Sequence, residues 1–232
     1  MSKKLGAIQD EINDRHFVVV DGIDGKVHYA DIGRIRPESL PGKGMIVALE
    51  AAGQEPGNRQ QTRLRILSYL NLEELESTEG ATWLDRELAS KSPAHVSNQG
   101  FGTDVKTALR NRLQWLTERG MTEPTPEGGV RPSPTALRML TRNEMNQSVA
   151  KHSAASGLQA AQLIDGERFV GAYSGCISIA SGKYAIFENS KEFTLVPWRP
   201  SFEDIKGKSI SGKVSGSTIA WELAGRTKGL GI

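Results

Sequence analysis

The chain has 232 residues, a net charge of +2, 38% hydrophobic and 24% charged residues, a balance that suits one large or two modest soluble globular domains and excludes a disordered polyelectrolyte. A pI near 8.6 is too mild to make the whole surface a nucleic-acid footprint, so such binding would need a local patch. The single cysteine, Cys176, excludes an internal disulfide and a Cys-built zinc site, and the opening MSKKLGAIQDEIND turns acidic where a signal peptide turns apolar.

Residues 5–52 read as β structure. HFVVVD (16–21) is a compact apolar strand, and Asp24-Gly25 is placed as a two-residue type I′ turn into a strand over 26–32. Residues 44–50 add another strand, and GQEPGNRQ (53–60) reads as a polar linker. Helices are expected over 61–69, over 82–89 and, most strongly, over 103–119. There Val105, Leu109, Leu113 and Leu116 form one apolar stripe at helical period. Thr103 is placed as the cap of that helix and Gly120 as the left-handed residue that ends it. A Pro/Gly loop or hairpin over 121–134 and a helix over 135–151 follow. Helix, helix, long helix, hairpin is the order of a winged helix-turn-helix.

Beyond residues 157–166, Phe169, Gly171 and Tyr173 alternate with Val170 and Ala172, and strands continue over 177–179 and 184–187. The strand 193–196 stops at Pro197-Trp198-Arg199-Pro200, and residues 208–214 and 217–223 pair around Ser215-Gly216. Five or six short strands at turn spacing suggest a small barrel. The expected fold class is therefore α+β. Barrel-like β sections over 1–52 and 158–232 flank a helical, winged-helix-like domain over 60–152.

Candidate binding residues fall in three groups. Lys106, Arg110 and Gln114 share one polar edge of the long helix, where they could meet phosphates or guanine edges; an ordinary solvated helix face is the alternative, and Glu118 favours it. Trp198 and Arg199 could stack an unpaired base, although a Trp between prolines more often packs, with Trp221 as its core partner. Lys206, Lys208, Lys213, Arg226 and Lys228 make the C-terminal stretch the most basic, either as a phosphate footprint or as protection of strand edges.

Catalytic and cofactor motifs are missing from the sequence. His16, His28, His95 and His152 are scattered without metal-ligand spacing, and no Gly-Lys-Ser/Thr loop or Gly-x-Ser-x-Gly elbow occurs. Cys176 has no neighbouring His and is expected as a buried thiol on a strand. Asp85 and Glu87 point about 200° apart on a helix, so they are no carboxylate pair. No cofactor and no metal are expected.

Five blocks resemble, in order, the C-terminal region of bacterial conjugative relaxases, the mobilization nucleases of plasmid transfer. They are DRHFVVVDGIDGKVHYADIGR (14–34), GATWLDREL (80–88), GFGTDVKTALRNRLQWL (100–116), KYAIFENSKEFTLVPWRP (183–200) and the VSG-then-W pattern ending at Trp221. The region is known mainly as a domain of unknown function attached to the nuclease. A relaxase nicks the transfer origin with a tyrosine and a histidine-held metal, and nothing here matches that constellation. The resemblance thus implies a non-catalytic accessory module that contacts single- or double-stranded DNA. The alternative is a protein-interaction module that docks the relaxase on the coupling protein or on relaxosome partners. With no apolar stretch near the roughly 20 residues that span a bilayer, no membrane partner and a cytoplasmic location are expected.

Overall fold

The computed structural model describes residues 1–10, 15–54, 60–215 and 218–222. The chain forms two compact units, Met1–Met145 with Ile179–Gly182, and Asn146–Ser178 with Lys183–Ile232.

Unit 1 begins with five strands, β1 (Ser2–Asp10), β2 (Arg15–Gly22), β3 (Val27–Gly33), β4 (Ile46–Gln54) and β5 (Gln60–Ser68), in the antiparallel order β3-β2-β1-β4-β5. Every second residue of β2 is buried, and Val18 and Val20 meet Ala30, Val47, Leu64 and Ile66 in one cluster. The helix expected over 61–69 is therefore β5. Leu64 and Ile66 join the cluster while Arg63 and Arg65 are exposed, a period of two that a helix cannot produce. Gln54 lies opposite Gln60, so the expected linker joins neighbouring strands of one sheet; residues 55–59 are outside the described set. The β2–β3 connection also differs from expectation. Gly25 N–H bonds Gly22 O at 3.0 Å and Gly22 N–H bonds Lys26 O at 2.7 Å, with φ +80 at Gly25. This is a three-residue loop whose last residue is left-handed, so only the glycine needs positive φ.

The rest of unit 1 comprises α1 (Leu72–Ser77), α2 (Trp83–Leu88), α3 (Phe101–Glu118), the hairpin β6 (Thr122–Pro124) and β7 (Val130–Pro132), and the first part of α4 (Pro134–Ser156). The sequence reading omitted α1, although its Asn71/Glu74 capping box is a start signal, and α2 begins with a similar Thr82/Asp85 box. Three residues before the expected cap, α3 starts after Gly100, and Thr103 lies exposed within it. Tertiary contact sets this start: a Cβ on Gly102 would lie 2.6 Å from the carbonyl oxygens of Ile23 and Ser97, so only glycine lets the first turn approach that backbone. The helix ends as expected at Gly120 (φ +65), with Gly120 N–H on Thr117 O and Met121 N–H on Leu116 O. Phe101, Val105 and Ala108 pack with Ile23, Ile46, Leu75, Trp83 and Leu84. The buried stripe runs through Val105, Ala108, Arg112 and Leu116, with Leu109 and Leu113 as half-buried flanks.

Unit 2 contains the α4 residues from Asn146 onward and the strands β8 (Gln159–Ala160), β9 (Arg168–Ile179) as far as Ser178, β10 (Gly182–Glu188) from Lys183 onward, β11 (Glu192–Pro197), β12 (Ser209–Ser215) and β13 (Thr218–Glu222). Their order is β13-β12-β9-β10-β11-β8, with β8 parallel to β11. The expected small barrel is an open sheet among the described residues, because β13 and β8 occupy its two edges without pairing. The core gathers Phe169, Tyr173, Phe187, Val196 and Phe202, the last supplied by a 3-10 turn at Pro200–Ile205. Phe187 stacks on Trp221 with centroids 4.1 Å apart. Each such side chain, fully buried, contributes about 1.5–3 kcal/mol. Among the described residues no helix is long and apolar enough to cross a membrane.

Candidate nucleic-acid interface

Burial of one side of α3 leaves Lys106, Arg110 and Gln114 on a common polar edge, as expected from their four-residue spacing. Each is engaged differently. Lys106, half-buried, donates to Asn98 Oδ1, and the exposed Gln114 donates to Glu118 Oε1 at 2.9 Å. Asn111 beside them donates to Glu76 Oε2 at 2.8 Å. Arg110 is exposed and makes no side-chain hydrogen bond or ion pair among the described residues. It is therefore the group on this edge best able to accept a phosphate, since no existing partner must be displaced.

In unit 2, Trp198 is half-buried against the aromatic core. Its indole N–H donates to Glu203 Oε1 at 3.1 Å and to Tyr173 Oη at 3.2 Å. Lys183 Nζ sits 3.6 Å from the Trp198 ring centroid. With one face under an ammonium and its polar edge bonded inward, this indole is built into the unit, which is the packing role weighed above. Trp221 packs on the same core through Phe187 and Phe169. Arg199 is exposed, as are Lys208 just ahead of β12 and Lys213 on it. Lys213 lies opposite Arg168 of β9, so two cations neighbour each other on the outward side of the sheet. Arg226 and Lys228 lie outside the described residues.

The Tyr173 hydroxyl donates to Glu203 Oε1 at 2.5 Å. Burial raises the phenol above its ordinary range and this hydrogen bond raises it further. The same bond is the main cause holding the Glu203 carboxyl below the usual carboxylate range.

Sequence reasoning passed over the most heavily bonded side chain. Arg112 sits at 0% exposure inside the α3 stripe. Its guanidinium donates to Asp85 Oδ1 at 2.7 Å and Oδ2 at 2.9 Å, to Thr78 O at 2.7 Å and to Gly80 O at 2.9 Å. It also lies 4.3 Å from the Trp115 centroid. Asp85 in turn accepts from Thr82 N–H and Thr82 Oγ1. One local signal was available: Arg112 interrupts the spacing Val105, Ala108, Leu116, and a cation at a core-facing position requires a buried acid.

The histidines stay apart. His16 is buried on β2, His28 meets Asp24 at 3.0 Å, His95 is exposed, and His152 packs on Phe193 at 4.4 Å. No group of three or more His, Cys, Asp or Glu suited to a metal occurs among the described residues. Cys176 is exposed instead of buried, because the alternation that turns Phe169, Gly171 and Tyr173 inward turns the even-numbered residues of β9 outward.

No curated protein and no solved structure matches the chain. The model of a family described as protein of unknown function, DUF3363, matches residues 4–62 and 50–231, nearly the full length, and the chain belongs to that family.

Proposed function

We propose that the chain is a non-catalytic accessory module of conjugative plasmid transfer, akin to the C-terminal region of a relaxase, that contacts DNA at the transfer origin or the processed strand. The observation carrying this reading is the unpaired, exposed Arg110 on the polar edge of α3, followed directly by the β6–β7 hairpin. In a winged-helix reading, α3 enters a groove and the hairpin rests on the phosphate backbone, with Lys106 and Gln114 as further contacts. Exposed Lys208 and Lys213 add sequence-independent attraction.

Fluorescence anisotropy with labelled single- and double-stranded DNA at two salt concentrations tests this. Binding should weaken as salt rises, and Arg110→Glu should reduce both affinity and the salt slope, the latter by about 1 per lost phosphate contact. Absent or salt-independent binding overturns the proposal. A second reading, docking to a coupling protein or relaxosome partner, draws support from Val130 on the hairpin and Met139 on α4, which are 44% and 45% exposed. A pull-down in which Lys106→Glu and Arg110→Glu leave the partner bound would favour it.

A further inference from the structure

The five-stranded sheet of unit 1 curls. β3 and β5 stand at its two edges, yet they approach each other without pairing. At this seam opens a cleft of about 470 Å³, lined by Ile32, Arg34 and Ile35 at the end of β3 and by Thr62, Arg63 and Leu64 of β5. Ile32 and Leu64 also pack on the cluster of Val18, Val20, Ala30 and Val47, so one wall of the cleft continues the apolar core of the sheet. The volume suits a small ligand, since such sites run to about 300–1,000 Å³.

Charge narrows the kind of ligand. Arg34 and Arg63 are both exposed at the cleft, and Arg63 makes no side-chain hydrogen bond or ion pair among the described residues. Glu50 is the one acid among the described lining residues. It lies across from Arg63 in the register of β4 with β5, but its carboxylate is held by Arg65 at 3.2 Å. Glu38, beyond the end of β3, is met by Arg36 at 3.9 Å. Cations are therefore left in excess here. Thr62 adds a hydroxyl to the lining, and His16 adds a buried nitrogen at the same end of the sheet. His16 is 6% exposed and shares the inward face of β2 with Val18 and Val20. It lies opposite Gly33, the residue that separates Ile32 from Arg34. Its Nδ1 is buried and has no hydrogen-bond partner among the described residues. A buried polar atom left unpaired is costly, so a polar ligand reaching this end of the sheet gains by meeting it.

We infer that the cleft holds a phosphate-bearing ligand of nucleotide size. The guanidinium groups of Arg34 and Arg63 take the phosphate oxygens, which a planar fork of donors matches in pairs. Ile32, Ile35 and Leu64 supply the apolar wall for the sugar or base. A free nucleotide and a nucleotide unit within a strand share this chemistry. The inference stands apart from the DNA reading above, which rests on α3.

The test is isothermal titration calorimetry of the full chain with thymidine monophosphate, thymidine and oligo-dT, with circular dichroism as a fold check. The monophosphate should bind and thymidine should not. Arg63→Ala should weaken the monophosphate about 10-fold, the loss of one charge-assisted hydrogen bond, while Arg110→Glu on α3 leaves it unchanged. Oligo-dT that displaces the monophosphate and itself weakens in Arg63→Ala assigns the cleft to a strand. Oligo-dT that fails to displace it assigns the cleft to a free nucleotide, and either result supports the inference. No binding of the monophosphate, equal binding of thymidine, or indifference to Arg63→Ala overturns it. In that event, oligo-dT binding that is lost in Arg110→Glu leaves the DNA reading standing. An oligo-glutamate peptide that binds as tightly as the monophosphate overturns the phosphate in favour of an acidic protein segment.

Discussion

Unit 1 buries its central ion pair completely, whereas unit 2 keeps its central polar network at the edge of the core. Arg112 and Asp85 are both at 0% side-chain exposure, and the guanidinium is further satisfied by the Thr78 and Gly80 carbonyls. Tyr173 is buried, but its partners Glu203 and Trp198 are half-exposed. A buried pair in low dielectric tolerates no missing partner, because the survivor is left as an uncompensated charge. A network at the core edge can exchange a lost partner for water and responds to pH instead.

The largest effect follows from removing one half of the buried pair. Arg112→Met or Asp85→Leu alone should cost about 3–5 kcal/mol in denaturant unfolding. Combining Arg112→Met with Asp85→Leu should cost less than the sum of the single changes, since no orphan charge remains. Purely additive losses would mean that the pair acts only through packing and capping.

Phe187→Ala attacks the aromatic core of unit 2, where Phe187 touches Tyr173, Phe202 and Trp221. A loss of about 3–5 kcal/mol is expected. Hydrogen exchange should accelerate in β9 to β12 more than in α1 to α3, and uniform acceleration would erase the contrast between the units. Gly102→Ala comes next at about 1–3 kcal/mol, because the new methyl meets two backbone carbonyl oxygens that cannot step aside.

The smallest effect sharpens the pH side of the comparison. Glu203 has a lowered carboxyl pKa, so its contribution is present above the ordinary range near 4.3 and is lost as pH falls through the lowered value. Tyr173 has a raised pKa, so its contribution is present below about 10 and is lost as pH rises beyond it. Glu203→Gln should cost about 1 kcal/mol near neutrality and flatten the acid limb of thermal unfolding below about pH 4.3. An unchanged acid limb would show that another carboxylate governs it.

The parts legible in advance share a local cause. The Gly120 cap, the outward edge of Lys106, Arg110 and Gln114, and the β12–β13 pairing each follow from residues a few positions apart. Two further elements carry local signals as well. The Leu64/Ile66 alternation against Arg63/Arg65 has a strand's period, and Asn71 with Glu74 is a capping signature, so β5 and α1 were readable. The start of α3 was not. Gly102 is required by the carbonyl oxygens of Ile23 and Ser97, and the first of these belongs to a hairpin nearly eighty positions earlier. The stack of the Phe17 and Tyr29 rings depends in the same way on the register of β2 with β3, which the corrected three-residue loop sets.

Sequence alone determined the mixed α and β character, the strongest helix with its end, and the absence of recognisable catalytic motifs, because period and turn chemistry act between near neighbours. Tertiary structure alone decided that Arg112 is buried on Asp85, that Trp198 is held in place by Tyr173, Glu203 and Lys183, and that two rings lie parallel on an open sheet face. Each of these joins residues distant in the chain, and their energies depend on burial and register, which no local pattern encodes.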